Sequence, residues 1–143
     1  MTTKSIVVVA KYLQARLEGN VELGLEDVFY GDQALVPRFP AVAVEGESKE
    51  TTPTDLGQAG TVLMNVLVIV YHSKIGDNQT TREQCDTFAE GIEDFIHTDR
   101  QLGGLVTHSW VAGIDYGYAR RNNELLRAAR IRVQAISKTR IGQ

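Results

Sequence analysis

The segment from Thr61 to His72 (TVLMNVLVIVYH) carries no Gly, Pro or charge and is dominated by aliphatic and β-branched side chains. That composition predicts a strand. A short apolar run is also compatible with a helix, but the Val content and the turn-like sequences at both ends favour the strand. Its even positions (Val62, Met64, Val66, Val68, Val70) are all apolar, and its odd positions (Leu63, Asn65, Leu67, Ile69, Tyr71) nearly all. A strand with one wet face would alternate, so both faces are expected to be covered. Helices of the same chain cover one, which leaves the other for a neighbouring subunit.

Around this strand the periodicity changes. Ile6, Val9, Ala10, Leu13 and Leu17 fall at helical spacing, giving a first helix capped by Thr2 or Thr3 and stopped at Glu18-Gly19-Asn20. The Val7-Val8-Val9 run leaves a strand open as the alternative. Val21 to Arg38 reads as irregular and acidic, with a turn at Phe29-Tyr30-Gly31-Asp32. Phe39 to Val44 reads as a short strand, and Glu45 to Gly60 as a long loop. A second helix is expected from Thr80 or Thr81 to about His97. Thr80 and Glu83 form its capping box, and Cys85, Phe88, Ala89, Ile92, Phe95 and Ile96 its apolar stripe. After the Gly103-Gly104 turn, Leu105 to Tyr118 places Val106, His108, Trp110, Ala112, Ile114, Tyr116 and Tyr118 on one face. A hairpin connection at Arg120 to Asn123 leads to Leu125–Ile136, where Ala129, Ile131, Val133 and Ala135 alternate with Arg130, Arg132 and Gln134. The order α-β-β-α-β-β describes an α+β fold: an antiparallel β-sheet with flanking helices, in a single domain spanning residues 1–143.

Composition fits that picture. At 43% hydrophobic and 23% charged, the 143 residues match an ordinary globular domain. No apolar run reaches the ~20 residues needed to cross a bilayer, and no signal peptide is expected. The one cysteine, Cys85, excludes an internal disulfide. Asn78-Gln79-Thr80 matches a glycosylation sequon but reads as a turn and helix cap. Charge is uneven: residues 120–140 hold seven Lys or Arg against one acid, whereas the first sixty hold nine acids and five bases. Opposite ends of this kind suit a protein that assembles with copies of itself.

No constellation of side chains points to catalysis. His72, His97 and His108 lack metal-ligand spacing, and Cys85 sits on an apolar stripe. Glu90, Glu93 and Asp94 read as a solvated helix face. No phosphate-binding loop, dinucleotide fingerprint or nucleophile elbow occurs. The expectation is no enzyme, no metal and no cofactor. Arg120, Arg121, Arg127, Arg130, Arg132, Lys138 and Arg140 could meet phosphates, but the pI is about 5.6 and no aromatics interleave with them. Arg130 and Arg132 project from the face opposite Ile131 and Val133, so contact with another subunit is expected of them. The acids for that contact are Glu26, Asp27, Glu45 and Glu47. The interface candidates are therefore Glu45, Glu47, Arg127, Arg130 and Arg132.

Four stretches, in this order and at this chain length, resemble the tail terminator (tail-to-head joining) proteins of tailed bacteriophages. They are Pro40-Ala41-Val42-Ala43-Val44-Glu45, the strand ending Val70-Tyr71-His72, Leu102-Gly103-Gly104-Leu105-Val106 with Gly113-Ile114-Asp115-Tyr116-Gly117-Tyr118, and Ala128-Ala129-Arg130-Ile131-Arg132-Val133. The resemblance spans about Phe29 to Ile136. It implies a structural virion protein at the neck, assembled in the host cytoplasm as a homo-oligomeric ring, a hexamer in that family. Such a ring caps the tail tube, ends its polymerisation and docks the head connector. Its implied partners are itself, the major tail tube protein and the connector or stopper. DNA passes through its lumen without sequence-specific binding, and no membrane is involved. Head-completion (stopper) proteins of similar size are the alternative, followed by a small nucleic-acid-binding module.

Overall fold

The computed structural model describes residues 2–53, 59–76 and 81–140. The helix α1 (Ile6–Glu18) is followed by a 3-10 turn at Val21–Leu23 and the strands β1 (Asp27–Tyr30), β2 (Ala41–Pro53) and β3 (Ala59–Lys74). Then come α2 (Arg82–Ile96), a 3-10 turn at Leu102–Gly104, and the hairpin of β4 (His108–Arg121) and β5 (Glu124–Arg140). The strands form one sheet in the order β1-β2-β3-β5-β4, with the apolar strand β3 at its centre. This is the expected α+β class. The sheet is mixed, because β1 runs parallel to β2 while the other three pairings are antiparallel.

Both helices lie on one face. Val9, Ala10, Leu13 and Leu17 of α1 and Ala89, Ile92 and Ile96 of α2 pack on Val42, Val44, the even side of β3 and the odd side of β5. Burying these apolar side chains is the main stabilising term, each contributing about 1.5–3 kcal/mol. Ser5, rather than Thr2 or Thr3, caps α1, accepting from the Val8 N–H. Tertiary packing of the Val9 stripe overrides the weak helix propensity of the valine run, and Val7 and Val8 face outward. In α2 the capping box is made by Thr81 with Gln84, one residue beyond the expected Thr80–Glu83 pair. Thr80 and the 78–80 sequon lie outside the described residues.

Two expectations change. Residues 45–60 are chiefly strand: β2 continues to Pro53 and β3 begins at Ala59. Glu47 to Thr52 are exposed, so the arm has no buried face to imprint apolar periodicity on the sequence. Residues 27–30, read as irregular, form the parallel edge strand β1.

The turn before β4 depends on glycine. Gly103 sits at φ +67°, and a Cβ there would come within 2.7 Å of the Tyr12 hydroxyl. That hydroxyl donates to Asp99 at 2.7 Å, and Asp99 also accepts from the Gly103 N–H at 3.2 Å. Gly103→Ala is expected to cost about 1–3 kcal/mol, because it combines backbone strain with loss of this knot. Urea unfolding checks it; an unchanged midpoint would contradict the close approach.

Candidate functional site

The face of the sheet away from the helices is built from cross-strand rows. From one end they run Glu50–Leu63–Ile136–His108, Ser48–Asn65–Gln134–Trp110, Glu45–Leu67–Arg132–Gly113, Ala43–Ile69–Arg130–Asp115 and Ala41–Tyr71–Ala128–Gly117. Among the described residues, no helix covers any of them. The second row is a hydrogen-bonded ladder: Asn65 donates to the Ser48 hydroxyl at 2.8 Å, and Gln134 donates to Asn65 at 3.0 Å. Leu63, Trp110 and Ile136 are only half-buried. His108 is exposed and stacks on Trp110 with ring centroids 5.6 Å apart.

A β-bulge at Ala112 decides which β4 side chains reach this face. Register shifts between Val111 and Gly113, so His108 and Trp110 lie on the open face while Ile114, Tyr116 and Tyr118 turn to the helix side. The single-face grouping expected for Val106 to Tyr118 is therefore split. Gly113 leaves room for the Arg132 guanidinium, which a Cβ there would overlap.

The far end of the face is covered by the chain itself. Residues 31–40 form a strap, and Val36 and Phe39 pack on Ala41, Ala43, Leu67, Ile69, Tyr71 and Leu126. The second apolar side of β3 thus needs no neighbour along this stretch. A polar lock holds the strap. Asp32 accepts from Arg121 through Nε at 3.2 Å and Nη2 at 2.6 Å, and from the Tyr71 hydroxyl, which itself accepts from the Gln33 N–H at 3.3 Å. Burial and the Asp32 hydrogen bond push the Tyr71 hydroxyl up to about 12. Burial raises Asp32, but the hydrogen bonds from Tyr71 and Arg121 outweigh it and leave the carboxyl below its ordinary value.

The candidate residues separate in space. Glu45, Arg130 and Arg132 share the open face, whereas Glu47 sits at a bulge on the outer edge of β2 and Arg127 points to the helix side. Arg127 donates to the Lys74 carbonyl at 3.1 Å. Arg132 reaches Asp115 at 3.4 Å, with both side chains about half exposed or more (49% and 66%). Arg130 is exposed and has no ion-pair partner among the described residues. Of the acids expected to receive these arginines, Glu26 and Asp27 are engaged by Arg38, and Glu45 accepts from the Asp32 N–H at 3.3 Å.

Three of the other candidates for chemistry, Cys85, His72 and His97, are engaged in packing or hydrogen bonding. Burial pushes the Cys85 thiol up, which suits a small core side chain rather than a nucleophile. Burial lowers His72, whose ring packs on Phe88 at 5.3 Å. His97 accepts from the Val111 N–H at 3.0 Å and so ties the end of α2 to the edge strand. Among the described residues, no three His, Cys, Asp or Glu side chains converge as metal ligands.

Sequence reasoning missed Asp32, Arg121, Arg82 and the Asn65–Gln134 ladder. Arg82 donates to the Gly117 and Ala128 carbonyls, pairs with Asp86 at 2.8 Å and lies 5.2 Å from the Tyr118 ring centroid. Only the turn chemistry around Gly31-Asp32 left a trace in the sequence. No protein-family model matches the chain, and no curated protein matches it.

Proposed function

We propose that the chain is a subunit of a homo-oligomeric ring, the tail terminator that caps a phage tail tube, ends its polymerisation and joins it to the head connector. The observation that carries self-assembly is the uncovered part of the sheet. Leu63, Trp110 and Ile136 sit half-buried beside a satisfied polar row, with exposed arginines at the margin. A small apolar and aromatic centre inside a polar rim is how protein interfaces are composed. The phage assignment rests on the four-stretch resemblance, whose segments lie in β2, β3, β4, β5 and the turn before β4. In that role the subunit sits in the virion neck with the tube protein on one side and the connector on the other. DNA crosses the lumen without being read. Among the described residues, no helix is long and apolar enough to cross a membrane.

Native mass spectrometry and electron microscopy of the chain, alone and with purified tail tubes, test the proposal. The expected result is a closed ring that binds tube ends. A chain that stays monomeric in both conditions overturns it. A ring that binds only the head-side connector replaces it with the stopper reading.

A further inference from the structure

We infer, resting on the ring reading above, that neighbouring subunits join head to tail: the acidic, tyrosine-bearing flank of α2 and β4 on one copy docks on the β5 arginine stripe of the next copy's open face. The flank is built on the helix side of the β4 edge. Tyr116 and Tyr118 are 47% and 60% exposed there, an unusual exposure for two large aromatics side by side. Above them α2 carries Glu83, Asp86, Glu90, Glu93 and Asp94 against a single base, Arg82. Only Asp86 among these acids has a cation within ion-pair distance among the described residues. Burial first, then the charges of Glu90, Asp86 and Glu93, raise the Tyr116 hydroxyl against the lowering effect of Arg82.

The complement is on the same chain but on a different side. Among the described residues Arg130 has no ion-pair partner, and Arg132 has only a solvent-exposed carboxylate at 3.4 Å, a pairing of little strength. Of the first-half acids, Glu26 and Asp27 are already paired with Arg38 and Glu45 accepts from the Asp32 N–H, whereas Glu90 on the flank has no cation at ion-pair distance among the described residues. Arg82 already lies over the Tyr116 and Tyr118 rings, at 6.0 and 5.2 Å from their centroids, so the flank is shaped to hold a guanidinium. An arriving second one finds the exposed part of those rings and a carboxylate that accepts two hydrogen bonds. Pairing the open face with its own copy would instead bring β5 arginines together. Because flank and stripe are different surfaces of one subunit, each contact leaves another of each unsatisfied, and such a contact closes into a ring when its rotation divides a full turn.

Two exposed substitutions, Glu90→Lys and Arg130→Glu, test the pairing without touching the core. Each alone is expected to weaken assembly by about tenfold or more, as like charges now face each other. Mixing the two variants in equal amounts should restore rings. The lysine introduced on the flank of one variant then meets the glutamate introduced on the stripe of the other, while the unchanged Glu90 and Arg130 meet at the alternate contacts. Circular dichroism confirms that each variant folds. If the wild type forms rings and either variant does so with wild-type stability, the flank–stripe pairing is wrong and the ring reading stands. Rings lost in both variants but not restored by mixing also overturn the pairing. A wild type that remains monomeric on tail tubes overturns the ring reading itself, and the pairing with it.

Discussion

Replacing Ile131 with alanine is expected to cost about 2–5 kcal/mol of folding stability, while replacing its neighbour Arg130 changes stability by less than about 0.5 kcal/mol. The contrast follows from the pleat. Ile131 is fully buried on the helix side of β5, opposite Val68 on β3 and Ile114 on β4. Removing its outer carbons opens a cavity in the middle of the sheet, where paired strands on both sides cannot collapse to fill it. Arg130, one residue earlier, points into solvent on the other face. Urea melts of the two variants measure the difference directly. Equal losses would mean that the register of β5 is off by one residue, since such a slip exchanges the two faces.

How legible an element was depended on whether its burial differs between faces. The alternation of β5 shows in the sequence because one side is core and the other carries Arg130 and Arg132. The stripe of α2 shows for the same reason: Cys85, Ala89, Ile92 and Ile96 are buried, and the acids between them are mostly exposed. The outer half of β2 was lost because Glu47 to Thr52 are exposed on both sides, and its strand state comes from pairing with β3. β1 is short and carries an acid, and its parallel pairing with Ala41–Val44 is a long-range contact that no local pattern encodes. In β4 the bulge at Ala112 breaks the period-two count, so residues correctly assigned to one strand were placed on the wrong faces. The hairpin to β5 was readable, since Asn122 and Asn123 both take positive φ, which asparagine tolerates in a tight turn.

The candidate surface was legible in part. Arg130 and Arg132 were placed outward correctly, because that follows from alternation with Ile131 and Val133. Their neighbours were not, because Asp115 and Glu45 reach the same face only through the order β2-β3-β5-β4. The two-sided apolar character of β3 called for a cover on the second face. Half of that cover proved to be residues 31–40 of the same chain, whose anchors Val36 and Phe39 stand among Leu35, Pro37, Arg38 and Pro40 in a stretch with neither helix nor strand period.

That strap should make stability depend on pH at both extremes, and the lock at Asp32 fixes the sign of each limb. Tyr71 is fully buried and its hydroxyl is raised from 10.0 to about 12, so folding favours its neutral form. The resulting stabilisation is whole below pH 10 and is lost as pH rises through about 12. A shift of that size corresponds to about 2–3 kcal/mol. Asp32 is held below the ordinary carboxylate value of 3.8, so its contribution is present above that value and is lost as pH falls through the folded pKa. Tyr71→Phe keeps the ring under the strap and removes the titrating group. Its stability should therefore change less than the wild type's between pH 10 and 12, with other titrations common to both proteins cancelling in the difference. Asp32→Asn should flatten the acid limb and lower neutral-pH stability by about 1–3 kcal/mol, because the Arg121 guanidinium loses its charged partner. The measurement is chemical unfolding across the pH range, with hydrogen exchange on residues 31–40 to show whether the strap lifts first. Parallel alkaline curves for wild type and Tyr71→Phe would mean that the Tyr71–Asp32 bond does not help to hold the strap, leaving the Arg121–Asp32 pair and the Val36 and Phe39 packing to do so.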